Sequence, residues 1–187
     1  FSFILYPEDL MAENQFILSK SISLGICNYL ERKTEQVKIK WPNDLYAGNK
    51  KIAGILIENS VIGQYIRNSV IGVGININQH HFSENIPNPV SLYQLTGRQY
   101  DLNHEFLELH KYLNYWIDKL NSRHYDEIGH QYLKKLYRYR EYHHFLTCQK
   151  EKIFARILGV TNFGQIILEA KEHQVCKYNF NEIEFVL

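Results

Sequence analysis

Lys40-Trp41-Pro42-Asn43-Asp44, KWPND in one-letter code, is followed by Lys51-Ile52-Ala53-Gly54-Ile55-Leu56-Ile57-Glu58 and then by Gly72-Val73-Gly74-Ile75-Asn76-Ile77-Asn78. Val37 to Trp41 alternates at period two and is stopped by Pro42, so it reads as a strand entering a loop. Ile52 to Ile57 and Ser69 to Ile77 are continuous apolar runs that read as central strands. Ala47-Gly48-Asn49-Lys50 has turn chemistry, and Ile62-Gly63-Gln64 is the bend between the two apolar runs. Polar residues at the ends of such strands are where a rigid sheet presents side chains to a cleft. The three stretches therefore point to one polar site on a sheet.

Working outward, Asp9 is placed as the N-cap of a helix running to about Arg32. Met11, Leu18, Ile22, Ile26, Tyr29 and Leu30 keep roughly helical spacing. Phe16, Ile17 and Leu24 widen the apolar stripe, as in a helix packed between layers. Residues 80–100, with Pro87, Pro89 and Gly97, read mostly as loop. Phe106, Leu109, Leu113, Trp116, Ile117 and Leu120 mark one face of a helix over 103–120, and a third helix is expected over 125–137.

The texture then changes. Short strand candidates lie at 145–148, 152–158, 165–169, 174–178 and 183–186, separated by turns at Asn162-Phe163-Gly164 and Lys171-Glu172-His173. Strands at this spacing suit a small closed β-barrel. The expected fold class is α/β (α+β), with a boundary near residue 141 between a layered domain over 1–141 and an SH3-like barrel over 142–187.

Composition bounds the function. A formal net charge of +1 gives no global field to attract nucleic acid or an anionic membrane, so charged partners must be recognised locally. Cys27, Cys148 and Cys176 form no CxxC pair and read as reduced thiols of a cytoplasmic protein. No apolar run reaches the roughly 18 residues of a membrane span, and the start lacks the basic residues of a signal peptide. The chain opens on Phe1 in a strand-like alternation that ends at Pro7, and a bare strand edge needs neighbours. The expectation is therefore that it is the later part of something longer.

The chemistry of the central stretches is specific. The ammonium of Lys51 is a compact charge suited to a carboxylate or phosphate, and a fixed cation stabilises the negative charge that develops when those groups are joined. Asn43 can donate and accept hydrogen bonds, and Asp44 can bind a cation or orient a basic group. Gly54 and the Gly72/Gly74 pair let a ligand approach the backbone closely. The GxGxN spacing lacks the following helix of a dinucleotide fold, which excludes that reading. Taken alone, Asp44 is an ordinary turn residue and Lys51 an ordinary surface lysine.

Together, KWPND, KKIAGILIE and GVGININ resemble, in order and separation, the biotin protein ligase family. The Trp116-containing helix and the terminal barrel suit the same arrangement, which implies a biotin/lipoyl-ligase-like mixed sheet with helices. The resemblance implies an enzyme that makes biotinyl-5′-AMP from biotin and ATP with Mg²⁺, then transfers biotin to a lysine of a biotin carboxyl carrier protein domain. It makes Lys51 the residue contacting the biotin carboxyl and the adenylate phosphate. Gly54 and Leu56 would lie along biotin, and Asn76 with Gly74 beside adenine. Lys40, Asn43 and Asp44 would line the same cleft, with Asp44 the candidate for Mg²⁺. Ser91-Leu92 falls where the family places part of the nucleotide pocket. The acceptor lysine is itself the nucleophile, so no internal dyad is required.

The chain departs from the family in lacking an upstream Ser/Thr-rich biotin contact and a Gly- and Arg-rich loop. That loop would supply phosphate-binding cations and exclude water. Two alternatives remain open: a non-catalytic binding module with a vestigial cleft, and a lipoate ligase, whose pattern is related. Some relatives carry a helix-turn-helix, but no such element is visible here and no DNA binding is expected. The sequence leaves a homodimer open. The adjacent pairs His80-His81 and His143-His144 are poorly placed to chelate, and the run from Lys134 to Arg140 reads as a packed domain junction.

Overall fold

The structure is a computed structural model that describes residues 1–171 and 173–186. Its elements, in chain order, are β1 (Ser2–Leu5), a 3-10 turn (Ala12–Asn14), α1 (Phe16–Glu31), β2 (Val37–Lys40), β3 (Asp44–Ala47), β4 (Lys50–Ile62) and β5 (Tyr65–Ile75). These are followed by α2 (Leu92–Thr96), α3 (Leu102–Asn121), α4 (Tyr125–Lys135), β6 (Tyr142–Thr147), β7 (Lys152–Val160), β8 (Ile166–Ala170), β9 (Val175–Tyr178) and β10 (Ile183–Phe185).

The first sheet has the order β1-β5-β4-β3-β2. Its ladders are all antiparallel, and parallel pairing is confined to isolated bridges such as Ile39 with Leu136 and Lys51 with Pro89. The mixed architecture thus lies in the combination of sheets with helices, not in strand direction. One face of this sheet carries Ile39, Leu45, Ala53, Ile55, Ile71 and Val73, all buried in the main core. α1 and α3 supply the opposing layer: Leu18, Ile22, Leu24, Ile26 and Leu30 of α1 are fully buried, with Leu109, Leu113, Trp116 and Leu120 of α3 packed into the same core. Burial all round its circumference is what the broad apolar pattern of α1 predicts.

The first helix starts later than expected. Asp9 has φ 50 and is no helix cap. Residues 10–12 pair instead with the tip of the β4–β5 hairpin: Ile66 N donates to Leu10 O at 2.8 Å, and Ala12 N donates to Gln64 O at 2.9 Å. A tertiary pairing thus takes the segment that local periodicity assigns to helix. The short α2 is also additional to the expected loop. Its capping box is complete, with Gln94 N donating to Ser91 Oγ at 3.1 Å and Ser91 N to Gln94 Oε1 at 3.2 Å. The remaining helices fall close to their expected spans. α4 ends where Leu136 bridges to Ile39, and Tyr137 N then donates to Ile39 O at 2.8 Å.

The second sheet has the order β10-β6-β7-β8-β9, all antiparallel. Phe145, Ala155, Ile157, Ile166, Leu168 and Ile183 form its buried side. The turn at Asn162-Phe163-Gly164 is present, whereas the expected turn at Lys171-Glu172-His173 includes Glu172, which lies outside the described residues.

The two sheets are joined through KWPND. Trp41 is buried, and its Nε1 donates to Gly164 O at 2.8 Å, while its ring meets Phe180 edge-on at 5.5 Å. Phe16 N donates to Asn162 O at 3.1 Å. Gly164 has φ 109, and a Cβ there would stand 2.8 Å from Phe16 Cδ2, so both backbone conformation and space require glycine.

Candidate functional site

The face of the first sheet away from the helices carries a row of aligned residues. Lys40 pairs in register with Asp44, Asp44 with Gly54, and Gly54 with Gly74, across β2, β3, β4 and β5. Side chains alternate across a strand, so all four share this face. Lys51 joins them through an irregularity. Between Leu45 and Tyr46 the β3–β4 register shifts, Leu45 facing Ala53 while Tyr46 faces Lys51, which leaves Ile52 as an extra residue. Such a bulge re-aims a side chain, and here it puts Lys51 on the same face as Gly54, three residues away.

Lys51 Nζ pairs with Asp44 Oδ1 at 2.5 Å, and the two side chains are 40% and 17% exposed. A Cβ on Gly54 would sit 3.3 Å from Lys51 Cε and 3.5 Å from Asp44 Oδ1. The glycine therefore makes room for the ion pair. A cavity of about 380 Å³ lies over this floor, and Lys51, Gly54, Gly74 and Asn76 all line it. Its other wall, Gln79, Ile86 and Pro89, comes from the segment after β5. That segment folds back by backbone bonding: Lys51 N donates to Asn88 O at 2.7 Å, and Val90 N to Lys51 O at 2.9 Å. The sequence motifs do not mark these three residues, because the contact depends on a return of the chain after the strand ends.

Asn76 links the two walls. Its Nδ2 donates to Val90 O at 3.1 Å, and its backbone N donates to Ile52 O at 2.9 Å. Ser91 Oγ donates to Gln79 O at 2.6 Å, so Ser91 holds the wall and starts α2 at once. The amide of Asn43 is committed to the backbone: its Nδ2 donates to Ile55 O at 2.8 Å while Ile55 N donates to Asn43 O at 2.9 Å. Asn43 thus pins the loop behind Asp44 to β4. Leu56 is 62% exposed on the same face as Gly54, opposite Gly72 in register, and lies outside the cavity lining.

Lys40 faces the second sheet. Its Nζ lies 5.2 Å from the Tyr46 ring centroid and 4.8 Å from that of Phe185 on β10. Burial lowers its pKa, and the Asp44 carboxylate opposes part of that shift. The basic run after α4 is largely structural. Tyr137 is buried and donates through its hydroxyl to Asn49 Oδ1 at 2.6 Å, and Arg138 lies 4.9 Å over the Tyr137 ring and donates to Val186 O at 2.7 Å. Among the described residues no group of three or more His, Cys, Asp or Glu side chains could hold a metal ion. No described helix is long and apolar enough to cross a membrane.

A cation held by a carboxylate, over a floor of backbone with no side chains and beside a fixed amide, can accept a carboxylate or phosphate group at close range. Residues 1–76 match the family model described as Biotin/lipoate A/B protein ligase family. The chain is 39% identical over 71 residues to the Bifunctional ligase/repressor BirA of Bacillus spizizenii, covering 35% of this chain and 21% of that protein. It is 35% identical over 78 residues to the Biotin--[acetyl-CoA-carboxylase] ligase of Paracoccus denitrificans, covering 40% and 32%. These alignments span only about a fifth to a third of the curated relatives. The apo biotin protein ligase from Aquifex aeolicus superposes with TM-score 0.78 at 27% identity, over 99% of this chain and 80% of that one. The same enzyme in complex with biotin and ATP gives 0.77 at 27% identity, over 98% and 75%.

Fold and site together define the class as the biotin/lipoate protein ligase type, a half-covered antiparallel sheet followed by a small second sheet. Within that class, residues 1–76 are similar to the Biotin/lipoate A/B protein ligase family, and the chain as a whole is similar in fold to the Aquifex aeolicus biotin protein ligase.

Proposed function

We propose that this chain carries the adenylation site of an ATP-dependent ligase that forms biotinyl-5′-AMP and passes biotin to a lysine of a biotin carboxyl carrier protein domain. The observation that carries the reading is the meeting of Lys51, Gly54, Gly74 and Asn76 in one cavity over a glycine floor. The Aquifex aeolicus relative, solved with biotin and ATP, supports it.

In the first step a carboxylate oxygen of biotin attacks the α-phosphorus of ATP, and pyrophosphate leaves with the bonding electron pair. Lys51 would face both the attacking carboxylate and the phosphate, and its ion pair with Asp44 supports that role. In the second step the amine of the acceptor lysine attacks the acyl carbon of the mixed anhydride. AMP departs with the electron pair, and the nitrogen loses a proton to form the amide. Lys51 again balances the charge on the leaving phosphate. Gly54 and Gly74 leave room for the ligand against the backbone, and the Asn76 amide, already fixed through its nitrogen, keeps its oxygen for adenine. Lys40, Asn43 and Leu56 act at the margin of the cleft: Lys40 as a second cation beside Asp44, Asn43 as the brace for Asp44, and Leu56 as an apolar contact along biotin.

Mg²⁺ would balance phosphate charge. It commonly needs only one or two carboxylates besides phosphates and water, and Asp44 is the carboxylate at hand. The division of labour follows the proposed boundary near residue 141: the ligand lies on 1–141, and the second sheet of 142–187, an open five-stranded sheet in place of the expected closed barrel, packs against that layer through Lys40 and Trp41.

Biotin-dependent exchange between ATP and pyrophosphate tests the first step. Exchange should need biotin, and Lys51→Ala should reduce it by about a hundredfold or more. Exchange that survives Lys51→Ala, or that follows lipoate in place of biotin, would overturn the assignment.

A further inference from the structure

A second cavity, of about 400 Å³, opens on the helix side of the first sheet between α1, α4 and the 162–164 turn. Lys20, Asn14, Asp126, Gly129, His130 and Asn162 are among its lining. Lys20 is only 7% exposed, and among the described residues its ammonium has no hydrogen-bond or ion-pair partner. It lies 5.8 Å from the Phe16 ring centroid and 5.9 Å from that of Tyr132. Burial accordingly lowers its pKa. The ammonium itself is accessible and opens on the cavity, whereas the neighbouring Tyr132 hydroxyl is buried without a partner among the described residues. A lysine whose side chain is buried and whose unpaired ammonium opens on a cavity is suited to meet an anion there.

The floor adds an independent sign. Gly129 sits inside α4, where glycine weakens a helix, yet a Cβ there would meet nothing within 4 Å. Packing does not require glycine at this position; a side chain would fill part of the cavity. The lining also indicates the charge of the occupant. Asp126 shares the cavity with Lys20 and would repel a dianion, whereas a single negative charge on the Lys20 side is compatible with both. The amides of Asn14 and Asn162 are suited to donate to the oxygens of a planar acid.

We propose that this cavity binds a small carboxylate monoanion, with its carboxylate paired to the ammonium of Lys20. The occupant touches α1, α4 and the turn whose Gly164 carbonyl receives the Trp41 hydrogen bond, so it ties the helices to the second sheet. It is separate from the Lys51 cavity, which lies on the opposite face of the sheet.

Titration of the whole chain with acetate, with inorganic phosphate as comparison and at constant ionic strength, tests this through amide chemical shifts. The expected result is a saturable shift of residues in α1, α4 and the 162–164 turn. That shift should persist in Lys51→Ala and vanish in Lys20→Met. Gly129→Leu keeps the ammonium but fills the space, and should raise the melting temperature while weakening acetate binding at least tenfold. No saturable shift with acetate, a shift that survives in both Lys20→Met and Gly129→Leu, or tighter binding of phosphate than of acetate would each overturn the proposal.

Discussion

Gly54 shows how much of this site depends on an absent side chain. In most strand positions a glycine only weakens the strand, but here it lies directly beneath the Lys51–Asp44 pair, where a Cβ would already touch both side chains and a larger group would crowd them. Gly54→Val should leave the strand formed, since valine favours strands, while displacing the ion pair. On the proposed function, biotin affinity measured by calorimetry should fall at least tenfold, about 1.4 kcal/mol or more, with an unchanged far-ultraviolet spectrum. Cys27 makes a second residue-scale case. Burial, reinforced by Glu31, pushes its thiol pKa up to about 12, whereas Cys148 is exposed. A thiol reagent at pH 8 should label Cys148 in the native protein and reach Cys27 only on unfolding, because the thiolate is the reactive form. Rapid labelling of Cys27 in the folded state would contradict the burial described.

Among elements, the turn between β7 and β8 carries the most consequence. It receives the Trp41 indole, accepts Phe16 N at Asn162 O, and stands beside Phe180, so α1, the KWPND loop and the second sheet meet there. Trp41→Phe retains a ring but leaves the buried Gly164 carbonyl without its donor. The loss should be about 1–3 kcal/mol, read from the denaturant midpoint at unchanged slope. Most strands here are legible in the chain because the apolar runs and turn residues are local signals: β4 and β5 extend the expected runs, and the bend at Gly63 is where it was expected, whereas β3, which the pattern leaves as loop after Pro42, is set by its pairing between β2 and β4. The start of α1 and the existence of α2 are less so. Residues 10–12 follow a helical pattern yet pair with a hairpin distant in sequence. α2 has a readable signal, Ser91 followed three residues later by Gln94, but it sits inside a Pro- and Gly-containing stretch whose loop character dominates the pattern.

Across the whole molecule, the layer of helices is bound by a polar network as well as by apolar packing. Glu105 of α3 is buried, accepts from Tyr29 Oη at 2.7 Å and pairs with Lys33 Nζ at 2.8 Å. Burial alone would raise its pKa, but the hydrogen bonds from Lys33 and Tyr29 and the charge of Lys33 outweigh it and hold the carboxyl below the usual range. A folded pKa below the unfolded one means that the network stabilises the protein above the ordinary value of 4.5, and that this stability is lost as pH falls through the depressed folded value. Glu105→Gln should therefore lower the melting temperature at pH 7 by an amount corresponding to about 2 kcal/mol. The gap from the parent should shrink as pH is lowered beneath 4.5. A gap independent of pH would mean that the charge of Glu105 is not the stabilising feature.

Local pattern alone settles the strands and helices that dominate this chain, the order of the three central motifs, and the residue types at the site. Periodicity, turn chemistry and glycine in strands each act within a few neighbours, so they can be read along one dimension. The site itself is decided in three dimensions. The register that aligns Lys40, Asp44, Gly54 and Gly74, the extra residue that turns Lys51 onto their face, and the return of Gln79, Ile86 and Pro89 over it are long-range pairings. Folding likewise commits Asn43 to the backbone of β4 and seats Lys40 against Phe185 of the second sheet. Such pairings are selected by the free energy of the packed whole, and no window of the chain contains both partners.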